Sequence, residues 1–253
     1  MTPYNTFIAK SRYSRYLDDK GRREHWNETV KRYFDFMEKH LVTKQKYILS
    51  PELRKELEQA VVNLEVVPSM RAVMTAGPAL ERQNVAAFNC SYLPIDDPKA
   101  FDEAMYILLC GTGVGFSVEQ QYVKKLPEVP EQLFDSKSTV VVSDSKEGWA
   151  KSLRQLLALL YSGEIPKFDV SRVRPAGARL RTFGGRASGP GPLEELYKFC
   201  VAKFKGAVGR RLTSLECHDI LCKIGEVVVV GGVRRSAMIS LSDLTDDKMA
   251  HAK

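Results

Sequence analysis

Residues 86–119 read AAFNCSYLPIDDPKAFDEAMYILLCGTGVGFSVE, and this stretch sets the class of fold. Ala86 to Ile95 is β-rich, with Cys90 in its middle. Asp97 followed by Pro98 is a helix start, a capping carboxylate and then proline at the first helical position. Phe101, Met105 and Leu108 share one helical face, so the helix is expected to lie on a sheet and to end near Cys110. Gly111, Gly113 and Gly115 then lead into a second apolar run, Val114 to Val118. The order is strand, helix, glycine turn, strand, an α/β unit. A thiol carried on a strand can be held rigidly beside a ligand, and glycines let backbone N–H groups approach one closely. Each feature also has a plainer reading: a strand cysteine as a small buried hydrophobe, and Gly-x-Gly-x-Gly as a tight turn.

Working outward, residues 1–23 read as an irregular, basic, tyrosine-rich arm. From Glu24 to His40, Trp26, Val30, Tyr33, Phe34 and Met37 recur at helical spacing, and Ser50-Pro51 opens a second helix. A helical subdomain over 1–80 follows, with an α/β part over 81–253. Downstream, Thr139 to Ser143 reads as a buried strand, and Asp144-x-x-Glu147 as a capping box that starts a helix faced by Trp149, Leu153, Leu156, Leu157 and Leu160. Phe168 to Val173 reads as another strand, leading to a loop rich in glycine and arginine. A helix spans Leu193 to Lys205. A second capping box, Thr213-x-x-Glu216, opens the next, which Gly231-Gly232 breaks before a strand from Ser236 to Leu241. Strands alternating with helices argue for a parallel sheet or barrel.

The 253 residues carry a formal charge of +7, which favours an anionic partner, nucleotide or nucleic acid. The basic residues at 172–186 and 234–235 sit among glycines, as suits phosphate in a loop better than a flat nucleic-acid face. No run is long and apolar enough to span a membrane, and MTPYNTFIAK lacks a signal-peptide core, so the expected location is the cytoplasm. The five cysteines include no CxxC pair, and Cys217-His218 with Cys222 lacks zinc-site spacing, so no metal site is expected.

Several motifs in one order carry the reading further. They are Asn89-Cys90-Ser91, the glycine run to Ser117, DSKEGW at 144–149, VRPAGARLRTFGGRASGPGPL at 173–193, and GRRLTS followed by GEVVVVGGVRRSA between 209 and 237. Pro68-Ser69-Met70-Arg71 and SRYSRYL lie upstream. Together they resemble the adenosylcobalamin-dependent, class II ribonucleotide reductases, over nearly the whole chain. The resemblance implies an oxidoreductase with a small helical N-terminal subdomain followed by the first half of a ten-stranded α/β barrel. Cys90 would be one of two cysteines that reduce the substrate, with Ser91, Gly111, Gly113 and Gly115 lining the ribose pocket through backbone groups. Asp97 resembles the carboxylate that holds an effector nucleotide, a role compatible with capping. Arg179, Arg181 and Arg186 lie in a segment (174–192) similar to the first specificity loop, where guanidinium groups suit phosphates; their plainer reading is solvated loop arginines. Gly231, Gly232, Arg234 and Arg235 lie in a segment (230–237) similar to the second loop, which couples effector to substrate.

The resemblance further implies a ribonucleotide substrate, a dNTP or ATP effector, a dithiol reductant such as thioredoxin, and adenosylcobalamin bound mainly beyond this sequence. Nucleic acid and membrane are not expected partners. The sequence contains no Asn-Pro-Cys, the motif that carries the family's radical cysteine. The expectation is therefore a first half that works only with a C-terminal half, as a split protein or after splicing. A half-barrel alone would leave a strand edge and apolar surface uncovered, so self-association is expected. The alternatives are a dNTP-binding regulatory module without catalysis and the equivalent part of a diphosphate reductase.

Overall fold

The computed structural model describes residues 1–178, 186–230 and 237–252, with Val230 described by its backbone alone. The chain divides into two compact units, Met1–Asn89 and Cys90–Lys253.

In the first unit, α1 (Pro3–Arg12) starts where the Thr2 hydroxyl accepts the Asn5 N–H at 3.1 Å and Pro3 takes the first turn. β1 (Tyr16–Leu17) and β2 (Arg22–Arg23) then pair antiparallel, turning through Gly21 at φ 59°. The stretch read as an irregular arm is thus a capped helix and a hairpin; Thr2-Pro3 and Gly21 were its signals. α2 (Trp26–His40) and α3 (Pro51–Val62) fall where the periodicity puts them, α3 capped by Ser50 on the Leu53 N–H. The short helices α4 (Met70–Thr75) and α5 (Pro78–Arg82) follow. Ala9, Trp26, Val30, Phe34, Val61 and Val73 form the core. Beside it, Glu24 is 4% exposed and accepts from Arg32 Nε at 2.8 Å, the Arg15 N–H at 3.1 Å and the Thr29 hydroxyl at 3.0 Å. Arg32 also donates to the carbonyls of Val73 and Ala76, so one buried ion pair ties α2 to the end of α4.

The second unit runs β3 (Cys90–Pro94), α6 (Lys99–Leu109), β4 (Gly113–Ser117), α7 (Gln120–Val123), β5 (Phe134–Val141), α8 (Lys146–Tyr161), β6 (Glu164–Asp169), α9 (Gly191–Gly206), α10 (Ser214–Val230), β7 (Met238–Leu241) and α11 (Asp247–Ala250). β3, β4 and β7 form a parallel sheet in that order, and β5 and β6 a separate parallel pair joined through α8. This is an α/β fold. Among the described residues the strands make small sheets rather than half of a ten-stranded barrel, because β3 and β7 stand at the edges of a three-stranded sheet and β5–β6 pair only with each other. The helices α6, α8, α9 and α10 pack together over a continuous core that includes Phe101, Met105, Phe116, Leu156, Tyr197 and Ile224.

Several boundaries differ from the sequence reading: the strand read at Thr139–Ser143 starts earlier, as Phe134–Val141, and the run read as β-rich from Ala86 is a strand only over Cys90–Pro94, after a 3-10 turn at Asn84–Ala87. Ser145, not Asp144, caps α8, its hydroxyl accepting the Gly148 N–H at 2.9 Å, while Asp144 pairs with Arg174 at 2.7 Å. The strand expected at Phe168–Val173 is Glu164–Asp169, since Gly163, at φ 87°, ends α8 and the chain enters its strand at once. The Thr213–Glu216 capping box forms as read: the Glu216 carboxylate accepts the Thr213 N–H at 2.9 Å, and the Thr213 hydroxyl accepts the Glu216 N–H at 3.2 Å.

Candidate active site

Side chains along a strand alternate between faces, so the register sorts the three-stranded sheet into two sides. Cys90 pairs with Gly113, Tyr92 with Gly115, and Gly115 with Ile239, which puts all five on one side with Leu241. Leu93, Val114 and Phe116 alternate with them and are buried against the helices. The first side is open: Cys90 is exposed, as are Tyr92, Ile239 (67%) and Leu241. A parallel sheet ordinarily buries both faces, so this uncovered side is the unusual surface of the unit.

Cys90 opens β3 and faces a neighbour without side chains. A Cβ on Gly115 would meet the Ser91 carbonyl at 3.6 Å and Tyr92 Cδ2 at 3.8 Å and no third atom within 4 Å, which leaves the space above the glycine free for a ligand. Gly111 also ends a helix. At φ 80° it ends α6 in a Schellman turn, with the Thr112 N–H on the Ile107 carbonyl at 3.3 Å and its own N–H on the Leu108 carbonyl at 2.7 Å. It aims the chain into β4, whereas Gly113 and Gly115 belong to the strand itself. Ser91 is on the covered side, where its hydroxyl donates to the Gly113 carbonyl at 2.9 Å; only its main chain fronts the open side.

Sequence reasoning missed the polar end of this face. Ser117 is buried and donates to Glu119 at 2.6 Å, and burial together with hydrogen bonding to Tyr122 pushes the Tyr92 phenol above its ordinary range. The pattern that could have found it is the alternation Cys90, Tyr92 on one strand and Gly113, Gly115, Ser117 on the next.

Asp97 is exposed just before α6, where its carboxylate accepts the Lys99 N–H at 2.8 Å; the N-cap itself is Pro98, which the sequence reading put at the first helical position. Nearby, Asp102 is buried on the apolar face of α6, and its two oxygens share the Nε–H of Arg154 of α8, at 2.9 and 3.0 Å. Burial pushes the Asp102 carboxyl up against the pull of Arg154, and Asp97 adds its field to both groups. An aspartate between Phe101 and Met105 on an apolar face was the sequence signal for this pair. Arg186 is exposed and donates to the Gly177 carbonyl at 2.9 Å, the Gly177 N–H donates to the Ala187 carbonyl at 2.8 Å, and the Ala187 N–H to the Ala178 carbonyl at 2.8 Å. Arg179, Arg181, Gly231, Gly232, Arg234 and Arg235 lie outside the described residues.

A cleft of about 370 Å³ is lined by Gln120, Thr213, Ser214, Asp243, Thr245, Asp246, Asp247 and Lys248. Three carboxylates in so small a space do not fit a corrin ring. No group of three or more His, Cys, Asp or Glu among the described residues could hold a metal ion, and no helix among them is long and apolar enough to cross a membrane.

Comparison with known proteins agrees with this architecture. The family model for the B12-dependent ribonucleotide reductase insertion domain matches residues 117–201, which span the β5-α8-β6 unit and most of α9. The adenosylcobalamin-dependent ribonucleoside-triphosphate reductase of Lactobacillus helveticus (strain DPC 4571) is 27% identical over 92% of this chain and 40% of its own length. That of Lacticaseibacillus paracasei (strain ATCC 334) is 29% identical over 94% of this chain and 41% of its own length. A crystal structure of a B12-dependent (class II) ribonucleotide reductase superposes with a TM-score of 0.82 at 25% identity, over 96% of this chain and 42% of that one. In sequence and fold the chain is similar to the ribonucleotide reductases. Within them it is similar to the adenosylcobalamin-dependent, class II enzymes. It spans about 40% of the length of the curated relatives it matches.

Proposed function

We propose that this chain is the part of an adenosylcobalamin-dependent ribonucleoside-triphosphate reductase that supplies one reducing thiol, the floor of the ribose pocket and the effector loops. The observation that carries the reading is Cys90, exposed at the head of β3 on the uncovered side of the sheet and facing Gly113, with Gly115 beyond. A ribose can lie over glycines where any side chain would displace it. In the proposed reaction the Cys90 thiol and a second thiol become a disulfide; their two electrons and two protons replace the 2′ hydroxyl by hydrogen and release it as water. A dithiol such as thioredoxin then reduces the disulfide by exchange. Adenosylcobalamin supplies the radical that starts catalysis when bound. Its site, the radical cysteine and the second reducing thiol are placed in the remainder of the catalytic chain, covalently joined or as a second polypeptide. There the barrel would be completed across the open side.

Asp97, the arginines of 174–192 and the 230–237 segment are proposed to hold a dNTP or ATP effector. The helix start at Asp97 supports this, because a carboxylate there can accept a sugar hydroxyl while keeping its Lys99 contact.

The test is ribonucleoside-triphosphate reduction with adenosylcobalamin, a dithiol and a dNTP, with and without the remainder of the catalytic chain. Activity in the mixture, lost in Cys90→Ser, is the expected result. Effector binding without turnover in the mixture would favour the regulatory module instead, and activity restricted to diphosphates would reassign the substrate.

A further inference from the structure

Away from the open side, one other cluster joins a nucleophile to a base. Cys222 and His218 stand a turn apart on α10, with the thiol sulfur 3.3 Å from Nε2. Nδ1 lies 3.0 Å from the Ser240 hydroxyl of β7, and the imidazole is tilted at 43° to the Phe116 ring with 6.0 Å between centroids. Ser240 alternates with Ile239 and Leu241, so it belongs to the helix-covered side of the sheet. The ring is therefore held on both nitrogens. Cys222 is exposed, whereas Cys110, Cys200 and Cys217 are buried, and burial pushes the Cys200 thiol up to about 12.

We propose that Cys222 is a modification site for low-molecular-weight disulfides, with His218 as its base and Ser240 as the residue that orients the base. A nucleophile within reach of a base that a third group holds is the arrangement activated nucleophiles share. With Nδ1–H assigned as donor to Ser240 Oγ, Nε2 is left to accept from the thiol. Partial burial and the Asp219 carboxylate hold this thiol above its ordinary range, so it enters the reaction protonated and needs the base. Nε2 takes the proton as the sulfur attacks one sulfur of the disulfide. The S–S bond breaks, the departing thiolate recovers the proton from His218, and Cys222 is left oxidised in a mixed disulfide while half of the reagent leaves as thiol. A sulfur that gives up its proton reluctantly is the stronger nucleophile once it has done so.

The test incubates the intact chain with oxidised glutathione at neutral pH and follows the mixed disulfide at Cys222 by peptide mass spectrometry. Wild type should react at least about tenfold faster at Cys222 than His218→Gln. Ser240→Ala should be several-fold slower than wild type, and Ser240→Thr, which keeps the hydroxyl, should recover the rate. Equal rates in wild type and His218→Gln overturn the proposal, as does a wild-type Cys222 that stays unmodified while Cys90 reacts. Should His218→Gln fail to fold, an unchanged rate in Ser240→Ala overturns it.

Discussion

Gly115 separates a pocket from a packing constraint. Its added methyl would meet only ordinary contacts, so Gly115→Ala should leave the unfolding free energy within about 0.5 kcal/mol of wild type. If a ribose lies over it, the same methyl should raise KM in the reconstituted enzyme. Wild-type KM in a stable variant would remove Gly115 from the pocket. Glu24 is a buried carboxylate of the first unit. Burial pushes its carboxyl up, but the bonds from Arg32, Arg15 and Thr29 outweigh burial and hold it below its ordinary 4.5. Its contribution is thus present above pH 4.5 and lost as pH falls through the lower folded value. Arg32→Ala should cost the first unit about 3 kcal/mol, because it strands a buried carboxylate, and a urea titration at neutral pH checks this. Gly115 was singled out by the sequence, but the Glu24–Arg32 pair was not: Glu24 reads as one more charge on a polar stretch until the fold buries it.

Element boundaries followed local chemistry. α3 and α10 start where Ser50-Pro51 and Thr213-x-x-Glu216 indicate, and α6 starts one residue beyond the Pro98 expected to open it, because caps and prolines act within a turn of where they sit. The α10 cap carries a pH signature. Burial pushes the Glu216 carboxyl up, yet bonds from Arg210 and Thr213 prevail and hold it at about 2. Stability from this cap should be full above pH 4.5 and fade as pH falls toward 2. Glu216→Gln should lower stability by about 1 kcal/mol at neutral pH and flatten that acid limb, read from thermal unfolding between pH 3 and 7. Cap reading failed at α8, where Asp144 and Ser145 are both good caps. The winner was decided by Arg174, thirty positions away in sequence, which draws the Asp144 carboxylate to itself.

For the whole molecule, the consequence to check is the uncovered side of the β3-β4-β7 sheet. Tyr92, Ile239 and Leu241 expose apolar surface beside strand edges that pair with no further strand among the described residues, so the chain should self-associate in sedimentation velocity. The double variant Ile239→Lys with Leu241→Lys should shift it toward monomer; a wild-type chain that sediments as a single monomer at all concentrations contradicts the expectation. By itself, the sequence determined the α/β class, most helices, Cys90 on a strand and the reductase resemblance, since periodicity, caps and ordered motifs are properties of neighbouring residues. Only the tertiary structure decided that Cys90, Tyr92, Gly113 and Gly115 share one uncovered side, that Ser91 turns from it, and that His218 bridges Cys222 to Ser240. Those relations depend on strand register and on which helix covers which face, and both are set by contacts between residues far apart in the chain.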